Sequence, residues 1–277
     1  MNCDLHTHSN FSDGTCTPVS LIQAAEHLGL TAIALTDHNT VAGLPDFLAA
    51  GQGSAVEAVP GCEFSTDYCG VELHILGLFI TPDHYEAVTS LLEKAQREKQ
   101  QSNIDLVAAL NAAGYVLDYA QICETCNGQI NRAHIAAAMV QKGYFVSMQE
   151  AFRGPLSAEH GFYRPPRRID AYDCIRFIKS IGAVAVMAHP FLSLDEAQLR
   201  AFLPKAVEAG LDGMEVAYSK YSPETTRTAF QVADDFGLCY SGGSDFHGDN
   251  KPDIALGTGR GNLAIPSKWL EDLKKCK

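Results

Sequence analysis

Histidine and carboxylate side chains recur in this sequence where short apolar segments with the pattern of β-strands end. The residues at these positions are His6, His8, Asp37, His38, Glu63, His74, His189, Asp245 and His247. Imidazole and carboxylate groups together are ligands that suit Zn, Mn or Fe. A carboxylate such as that of Glu63 can also bridge two ions about 3.5–4 Å apart. The residue types therefore predict a metal centre.

The spacing of the first two histidines supports this interpretation. His6 and His8 are two residues apart on a predicted strand, so both imidazoles point to one face and can chelate one ion. A lone histidine at a strand end is more often a hydrogen-bonded core residue than a ligand. Here six strand ends or the loops just after them carry such residues, and packing of single histidines in the core does not explain all six together. Cysteine is absent from all of them, which argues against a structural zinc site.

Strand and helix patterns alternate on both sides of a helical segment. Strands are predicted over residues 2–6, 31–35, 56–64, 71–80, 183–188, 213–217 and 238–242. Helices are predicted over residues 18–28, 171–181, 195–209 and 223–236 and, in the middle segment, over 83–113, 119–126, 132–142 and 147–152. This alternation predicts an α/β fold with a parallel sheet, and the number of strands favours a barrel. Reactive groups collect at the carboxyl ends of the strands in such folds.

Length and composition are those of a folded protein. The chain has 277 residues, 46% of them hydrophobic, enough for one large domain or a domain with an insertion. We predict a barrel formed by residues 1–82 and 166–277, and a helical insertion over residues 83–165 that contributes to substrate binding. No stretch approaches the roughly 18 apolar residues of a membrane helix.

The charge and the cysteines bear on partners and location. A net charge of −12 argues against binding duplex nucleic acid, because its phosphates would be repelled, so an anionic substrate must meet local positive charge. Nine scattered cysteines suit a reducing compartment, and the first residues lack the pattern of a secretion signal, which predicts a cytoplasmic protein. The lone C-x-x-C pair, Cys123 and Cys126, is interpreted as ordinary thiols. The sequence makes no prediction of oligomeric state.

Seven short motifs in a fixed order resemble those of the polymerase and histidinol phosphatase (PHP) superfamily of metal-dependent phosphoesterases. They are DLHTHS at residues 4–9, SDG at 12–14, TDHN at 36–39, GCE at 61–63, HILG at 74–77, AHP at 188–190 and GSDFH at 243–247. The resemblance implies a distorted seven-stranded β/α barrel that hydrolyses phosphate esters.

The same resemblance implies a site for three divalent ions, with Mn or Fe favoured and Zn as an alternative. The implied ligand sets are His6, His8, Glu63 and Asp245 for the first ion, Glu63, His74 and His189 for the second, and Asp13, His38 and His247 for the third. Asp13, His38 or His247, or a water on the third ion, would also help the leaving group depart. Asp4 and Asp37 are expected to accept a ring N–H from a ligating histidine.

Five basic residues outside these motifs are candidates for binding the substrate: Arg132, His134, Arg164, Arg167 and Lys220. Arg132 and His134 open a predicted helix in a segment that resembles a phosphate-facing element of relatives with an insertion. An arginine at a helix start can form a bidentate pair with a phosphate. A surface arginine beside a packed histidine would explain the first two residues equally simply, and a solvated positive turn would explain Arg164 and Arg167.

The expected activity is that of a phosphoribosyl 1,2-cyclic phosphate diesterase that releases phosphate from a small metabolite. If two of the basic clusters serve one pocket, the substrate carries two phosphoryl groups. A 3′,5′-bisphosphate nucleotidase or an RNA-end phosphoesterase is the first alternative. A non-catalytic metal-binding module is the second, and a metal-dependent amide hydrolase on a β/α barrel is the third.

Overall fold

A computed structural model describes residues 2–124, 130, 132–166 and 168–277 of the chain. The chain forms two compact units, one from Met1–Ser90 with Ile169–Lys277 and the other from Leu91–Arg168. In chain order the elements are β1 Asn2–Thr7, α1 Pro18–His27, β2 Ala32–Leu35, α2 Leu44–Gly51, β3 Glu57–Tyr68, β4 Val71–Leu78, α3 Tyr85–Ala112, α4 Tyr119–Glu124, α5 Arg132–Gln141, α6 Met148–Arg153, β5 Ile169–Asp170, α7 Ala171–Ser180, β6 Val184–Met187, α8 Glu196–Ala209, β7 Gly213–Tyr218, α9 Pro223–Asp235, β8 Cys239–Gly243, β9 Ile265–Pro266 and α10 Ser267–Lys274.

The strands of the first unit form one sheet that almost closes into a barrel. Its order is β8-β7-β6-β4-β3-β2-β1-β9, and β5 pairs with β3. The segment after β8 meets β1 through two backbone hydrogen bonds of 2.9 Å, from Asp245 N to the carbonyl of His6 and from His8 N to that of Phe246. Gly243 permits this approach, because a Cβ there would lie 2.3 Å from the Cβ of His6. The prediction of an α/β barrel is confirmed.

The described residues contain nine strands where the resemblance implies seven. The additional two, β5 and β9, have two residues each, too few to show a period in the sequence. Apolar side chains from the strands and from α10 fill the barrel. They include Leu5, Ala34, Val59, Leu76, Val186, Ile265 and Leu270.

Two strands run against the predicted parallel direction: β4 and the short β9, which is antiparallel to β1. β4 is antiparallel to both of its neighbours, β3 and β6. A tight turn at Cys69 and Gly70, with φ angles of 51° and 85°, joins β3 directly to β4. The prediction of a parallel sheet is therefore wrong at β4 and at β9. β3 also continues to Tyr68 instead of ending near Glu63, because its second half forms a hairpin with β4.

The second unit has a core of its own. Its buried apolar residues come from the latter part of α3, from α4 to α6 and from the segments between them. They include Leu106, Leu110, Ile122, Ile135, Met139, Ala151 and Leu156. Among the described residues no helix is long and apolar enough to cross a lipid bilayer.

Candidate metal centre

The structure brings all nine of the implied metal ligands together at one edge of the barrel. His6 lies on β1 and His8 follows it, His38 follows β2, and His189 follows β6. Glu63 lies within β3, paired in register with Leu76 of β4. The remaining ligands are Asp13, His74, Asp245 and His247. His74 is on the antiparallel strand, and its early position in β4 places it at the edge where the parallel strands end.

The donor atoms of the first implied set converge. Nε2 of His6 lies 3.0 Å from Nε2 of His8. Oε2 of Glu63 is 3.2 Å from each of these nitrogens. Oδ1 of Asp245 is 3.3 Å from Nε2 of His8 and 3.8 Å from Nε2 of His6. Two nitrogens and two carboxylate oxygens thus face a common point.

The two carboxylate oxygens of Glu63 face different imidazoles. Its Oε1 is 2.8 Å from Nδ1 of His74 and 3.1 Å from Nε2 of His189. Its Oε2 faces His6 and His8 and also lies 3.0 Å from Nδ1 of His38. Because the side chain is fully buried, neither oxygen is compensated by bulk water. This is the geometry that a bridging carboxylate requires.

A third group of donors surrounds Asp13. Its Oδ1 is 3.2 Å from Nε2 of His247 and 3.8 Å from Nδ1 of His8, and its Oδ2 is 3.9 Å from Nε2 of His38. Partial burial raises the pKa of Asp13, but the nearby imidazoles of His247, His38 and His8 outweigh it and hold that pKa below its usual range. The Asp13 side chain is 56% exposed, so this group opens to solvent.

Protons compensate the negative charge of the centre. Burial lowers the pKa of His6, but the charges of Glu63 and Glu215 outweigh it and raise that pKa well above its usual value. The pKa of His74 rises to about 10, because Glu63 outweighs the same effect of burial. Burial lowers the pKa of His38 to about 4. These ring protons sit on nitrogens that would hold divalent ions, so binding of an ion has to displace them.

Unpaired buried atoms show that metal ions fit these residues. Nδ1 of His8, Oε2 of Glu63 and Nε2 of His247 are buried, and none of them has a hydrogen-bond partner in the described part of the chain. Buried polar atoms are normally paired, and all three belong to groups of donors that can surround an ion. Among the described residues the groups are His8, Asp13, His38 and His247; His6, Glu63 and His189; His6, His8 and Asp245; and His38, Glu63 and His74.

Asp4 and Asp37 do not have the role expected of them. Asp4 accepts from the backbone N of Ser244 at 2.8 Å and from its hydroxyl at 2.5 Å. Asp37 accepts from the backbone N of Ser9 at 2.7 Å and from the hydroxyls of Ser9 and Ser12 at 2.6 Å. In the described part of the chain, these carboxylates fix the loops that carry ligands, and they do not accept from imidazole rings.

Some described side chains that the sequence did not single out contact the centre, among them Glu215, Tyr218 and Lys251. Glu215 lies 3.0 Å from Nδ1 of His6. The hydroxyl of Tyr218 donates to Oδ2 of Asp245 at 2.8 Å, and Nζ of Lys251 donates to the same oxygen at 2.7 Å. The sequence carried a signal for Glu215 alone, since it is a charged residue inside the otherwise apolar pattern of β7.

The candidate substrate residues are not part of this cluster of donors. Arg132 and Arg164 lie in the second unit, where Arg132 stacks over Tyr163 at 4.0 Å and donates to the carbonyl of Leu156 at 3.2 Å. His134, also in that unit, lines a cavity of about 330 Å³. Lys220 is exposed, and its charge acts on Asp253. Arg167, like Cys126, lies outside the described residues. A role of these residues in binding substrate stays a prediction.

Comparison with known proteins identifies the family. A family model described as the PHP domain matches residues 4–154, more than half of the chain. The chain belongs to the PHP domain family. The family prediction made from the seven motifs is therefore confirmed.

Relatives that match nearly the whole chain have different names. A 5′-3′ exoribonuclease of Haemophilus influenzae is 30% identical over 88% of this chain and 89% of its own length. A 3′,5′-nucleoside bisphosphate phosphatase of Chromobacterium violaceum is 30% identical over 89% and 87%. A phosphoribosyl 1,2-cyclic phosphate 1,2-diphosphodiesterase of Eggerthella lenta is 30% identical over 88% and 94%.

A solved structure has the same fold over the whole chain. It is described as an amidohydrolase from Chromobacterium violaceum with bound sulfate and no metal. Its sequence is 29% identical, it covers 100% of this chain and 97% of its own, and the TM-score is 0.77.

Proposed function

We propose that this PHP-family protein hydrolyses phosphate esters of a small ribose compound that carries two phosphoryl groups. The chain is a phosphoesterase, as the family and the names of two of the relatives indicate. The observation that carries the proposal is the position of Glu63, whose two buried oxygens face separate sets of imidazoles. That arrangement suits a centre for several divalent ions better than a single structural site.

The ligand sets implied by the family resemblance remain the proposed ones. His6, His8, Glu63 and Asp245 would hold one ion, and Glu63, His74 and His189 a second. Asp13, His38 and His247 would hold a third, and Mn or Fe suits this mixture of imidazole and carboxylate better than Zn. When bound, such ions supply an activated water at neutral pH and neutralise charge on the phosphoryl oxygens.

The group formed by Asp13, His38 and His247 is proposed to hold the third ion on the side of the site where the leaving group departs. Burial lowers the pKa of His38 to about 4, so its neutral ring offers a lone pair to an ion at pH 7. Asp13 stays a carboxylate and can orient His247, whose Nε2 lies 3.2 Å from Oδ1 of Asp13. We assign these three residues to the side of the site where the ester oxygen leaves.

Charge explains how this chain binds an anion. The net charge is −12, and three divalent ions would place about six positive charges at one point. Phosphate would then be attracted to the centre although the protein as a whole is acidic. Arg132, His134, Arg164, Arg167 and Lys220 are proposed to meet the second phosphoryl group, and residues 83–165 to take part in binding substrate.

The leading substrate is a phosphoribosyl 1,2-cyclic phosphate, as the resemblance in sequence implies. A nucleoside 3′,5′-bisphosphate or the 5′ end of RNA is the second candidate, which the names of the Haemophilus and Chromobacterium relatives support. These compounds share a ribose that carries two phosphoryl groups. A location in the cytoplasm is proposed with this metabolic role.

Phosphate release with added Mn²⁺ tests the proposal. The panel contains phosphoribosyl 1,2-cyclic phosphate, adenosine 3′,5′-bisphosphate, a 5′-phosphorylated oligoribonucleotide and, as a compound with one phosphate, histidinol phosphate. We expect turnover of at least one of the first three and much slower turnover of the last. Hydrolysis of an acyl ester or amide instead would favour the amide hydrolase, and inactivity of metal-loaded protein toward every compound would favour a non-catalytic module.

A further inference from the structure

Glu215 is a fully buried carboxylate to which the proposed reaction gives no task. It lies in the middle of β7, and no part of it reaches solvent. Its Oε1 lies 3.0 Å from Nδ1 of His6, and its Oε2 accepts the backbone N–H of His189 at 2.7 Å. Because burial of a carboxylate is costly without such partners, both oxygens have defined positions. Each oxygen therefore contacts a residue of the metal centre.

The contact with His6 selects one form of its ring. An N–H at Nδ1 donated to Glu215 leaves Nε2 as the nitrogen with the lone pair. Nε2 is the atom that lies 3.2 Å from Oε2 of Glu63 and 3.0 Å from Nε2 of His8. Glu215 thus turns the ligating nitrogen of His6 toward the centre.

The contact with His189 fixes a backbone instead of a ring. His189 has φ 26° and ψ 54°, a conformation that residues other than glycine rarely adopt. The hydrogen bond from its N–H to Glu215 holds the backbone there. Its side chain then extends toward Glu63, and Nε2 of His189 lies 3.1 Å from Oε1 of that carboxylate.

We propose that Glu215 is a positioning residue that orients His6 and His189 together. The donors of His6, Glu63 and His189 form one of the groups able to surround an ion, so Glu215 contacts two of its three members. The inference rests on the proposed function, since it requires these histidines to bind metal. It adds that ligands of different ions depend on one carboxylate, so that one substitution weakens binding of more than one ion.

Manganese binding by Glu215→Gln tests this inference without an activity assay. An amide oxygen can still accept one hydrogen bond, but the amide nitrogen cannot accept the other, so His6 or His189 loses its partner. The matched control is Asp212→Asn. Asp212 directly precedes β7 and also accepts a backbone N–H, from Ala185 at 2.8 Å, but its other partner is Nζ of Lys179.

We expect chelator-treated Glu215→Gln to bind Mn²⁺ about 10–100-fold more weakly than wild type at two or more sites, as loss of such partners does elsewhere. Asp212→Asn should bind as wild type, and Mn²⁺ should raise the melting temperature of Asp212→Asn more than that of Glu215→Gln. Binding is followed by electron paramagnetic resonance of free Mn²⁺. If Glu215→Gln does not fold, Glu215→Asp, whose shorter side chain cannot reach both partners, should show the same loss.

Three results would overturn the inference. A folded Glu215→Gln or Glu215→Asp protein that binds Mn²⁺ as tightly as wild type would remove Glu215 from this role. Equal weakening in Asp212→Asn would show a general effect of destabilisation. If wild type itself binds no Mn²⁺, the proposed function fails together with the inference. The first two results, by contrast, overturn the inference alone.

Discussion

Nε2 of His6 and Nε2 of His8 face each other at 3.0 Å at the edge of the barrel where the proposed metal ligands meet. Two imidazole nitrogens at this distance repel each other unless a proton or a cation lies between them. Oε2 of Glu63 and Oδ1 of Asp245 face the same point, at 3.2 and 3.3 Å from Nε2 of His8. The pair is therefore the part of the centre that depends most on a bound cation.

Glu63→Gln should lower turnover of the phosphate ester by about three orders of magnitude or more, and His6→Ala should do the same. The substitution at Glu63 removes the charge that lies between the sets of imidazoles, while the shape of the side chain stays. Initial rates of phosphate release in excess Mn²⁺ measure the effect. His27→Ala, at an exposed histidine near the end of α1, is the control and should keep the wild-type rate. Rates near wild type for Glu63→Gln would exclude the bridging role.

Affinity for Mn²⁺ should rise with pH between about pH 6.5 and 8.5. In the ion-free chain the pKa of His74 is raised to about 10, so its ring is protonated throughout this range. An ion binds neutral imidazole and has to displace that proton, so affinity increases about tenfold per pH unit for each proton released. Titrations at three pH values measure the slope. An affinity that is flat over this range would show that His74 releases no proton.

Lys251→Met should weaken Mn²⁺ binding by about tenfold, less than loss of a ligand does. Nζ of Lys251 lies 2.7 Å from Oδ2 of Asp245, and this bond leaves Oδ1 turned toward His8. The hydroxyl of Tyr218 still holds Oδ2 in the variant, so the effect should be moderate. Lys268→Met, at a lysine 77% exposed on α10, is the control. Unchanged affinity in Lys251→Met would show that Tyr218 alone positions Asp245.

Arg132→Ala should raise KM several-fold with a smaller change in kcat, if Arg132 meets the second phosphoryl group of the substrate. Because the guanidinium stacks on Tyr163 at 4.0 Å, the variant should also lower the melting temperature by a few degrees. Kinetics at a temperature well below the transition separate the two effects. Arg176→Ala, at an exposed arginine on α7, is the control. An unchanged KM would assign Arg132 to packing of the second unit.

Much of the barrel could be predicted from the sequence, because its strands and helices have clear periods. For example, the predicted start of α1 is capped by Thr17, whose side chain accepts from Ser20 N. The direction of β4 was missed although the sequence carried a signal for it, because the six residues between the predicted strands 56–64 and 71–80 are too few for a parallel crossover. Helix α2 could not be predicted, because its N-cap, Gly43, makes no side-chain capping bond.

The candidate site shows a similar division. Residues with unusual chemistry at strand ends, such as His8 and His189, are visible in the sequence. Their partners are visible only when distant segments meet: Glu215 and His6 are 209 residues apart, and no spacing rule connects them. The predicted roles of Asp4 and Asp37 are wrong for the same reason, because serines in loops that the fold brings close donate to these carboxylates in place of an imidazole.

The metal content of the purified chain tests the central claim most directly. Protein prepared without chelators and with Mn²⁺ supplied should contain about three divalent ions per chain by plasma mass spectrometry. Anomalous diffraction should place them among Glu63, His8 and Asp13, and Glu63→Gln should retain fewer. A wild-type chain with no bound divalent ion under these conditions, or ions bound away from these residues, would contradict the account.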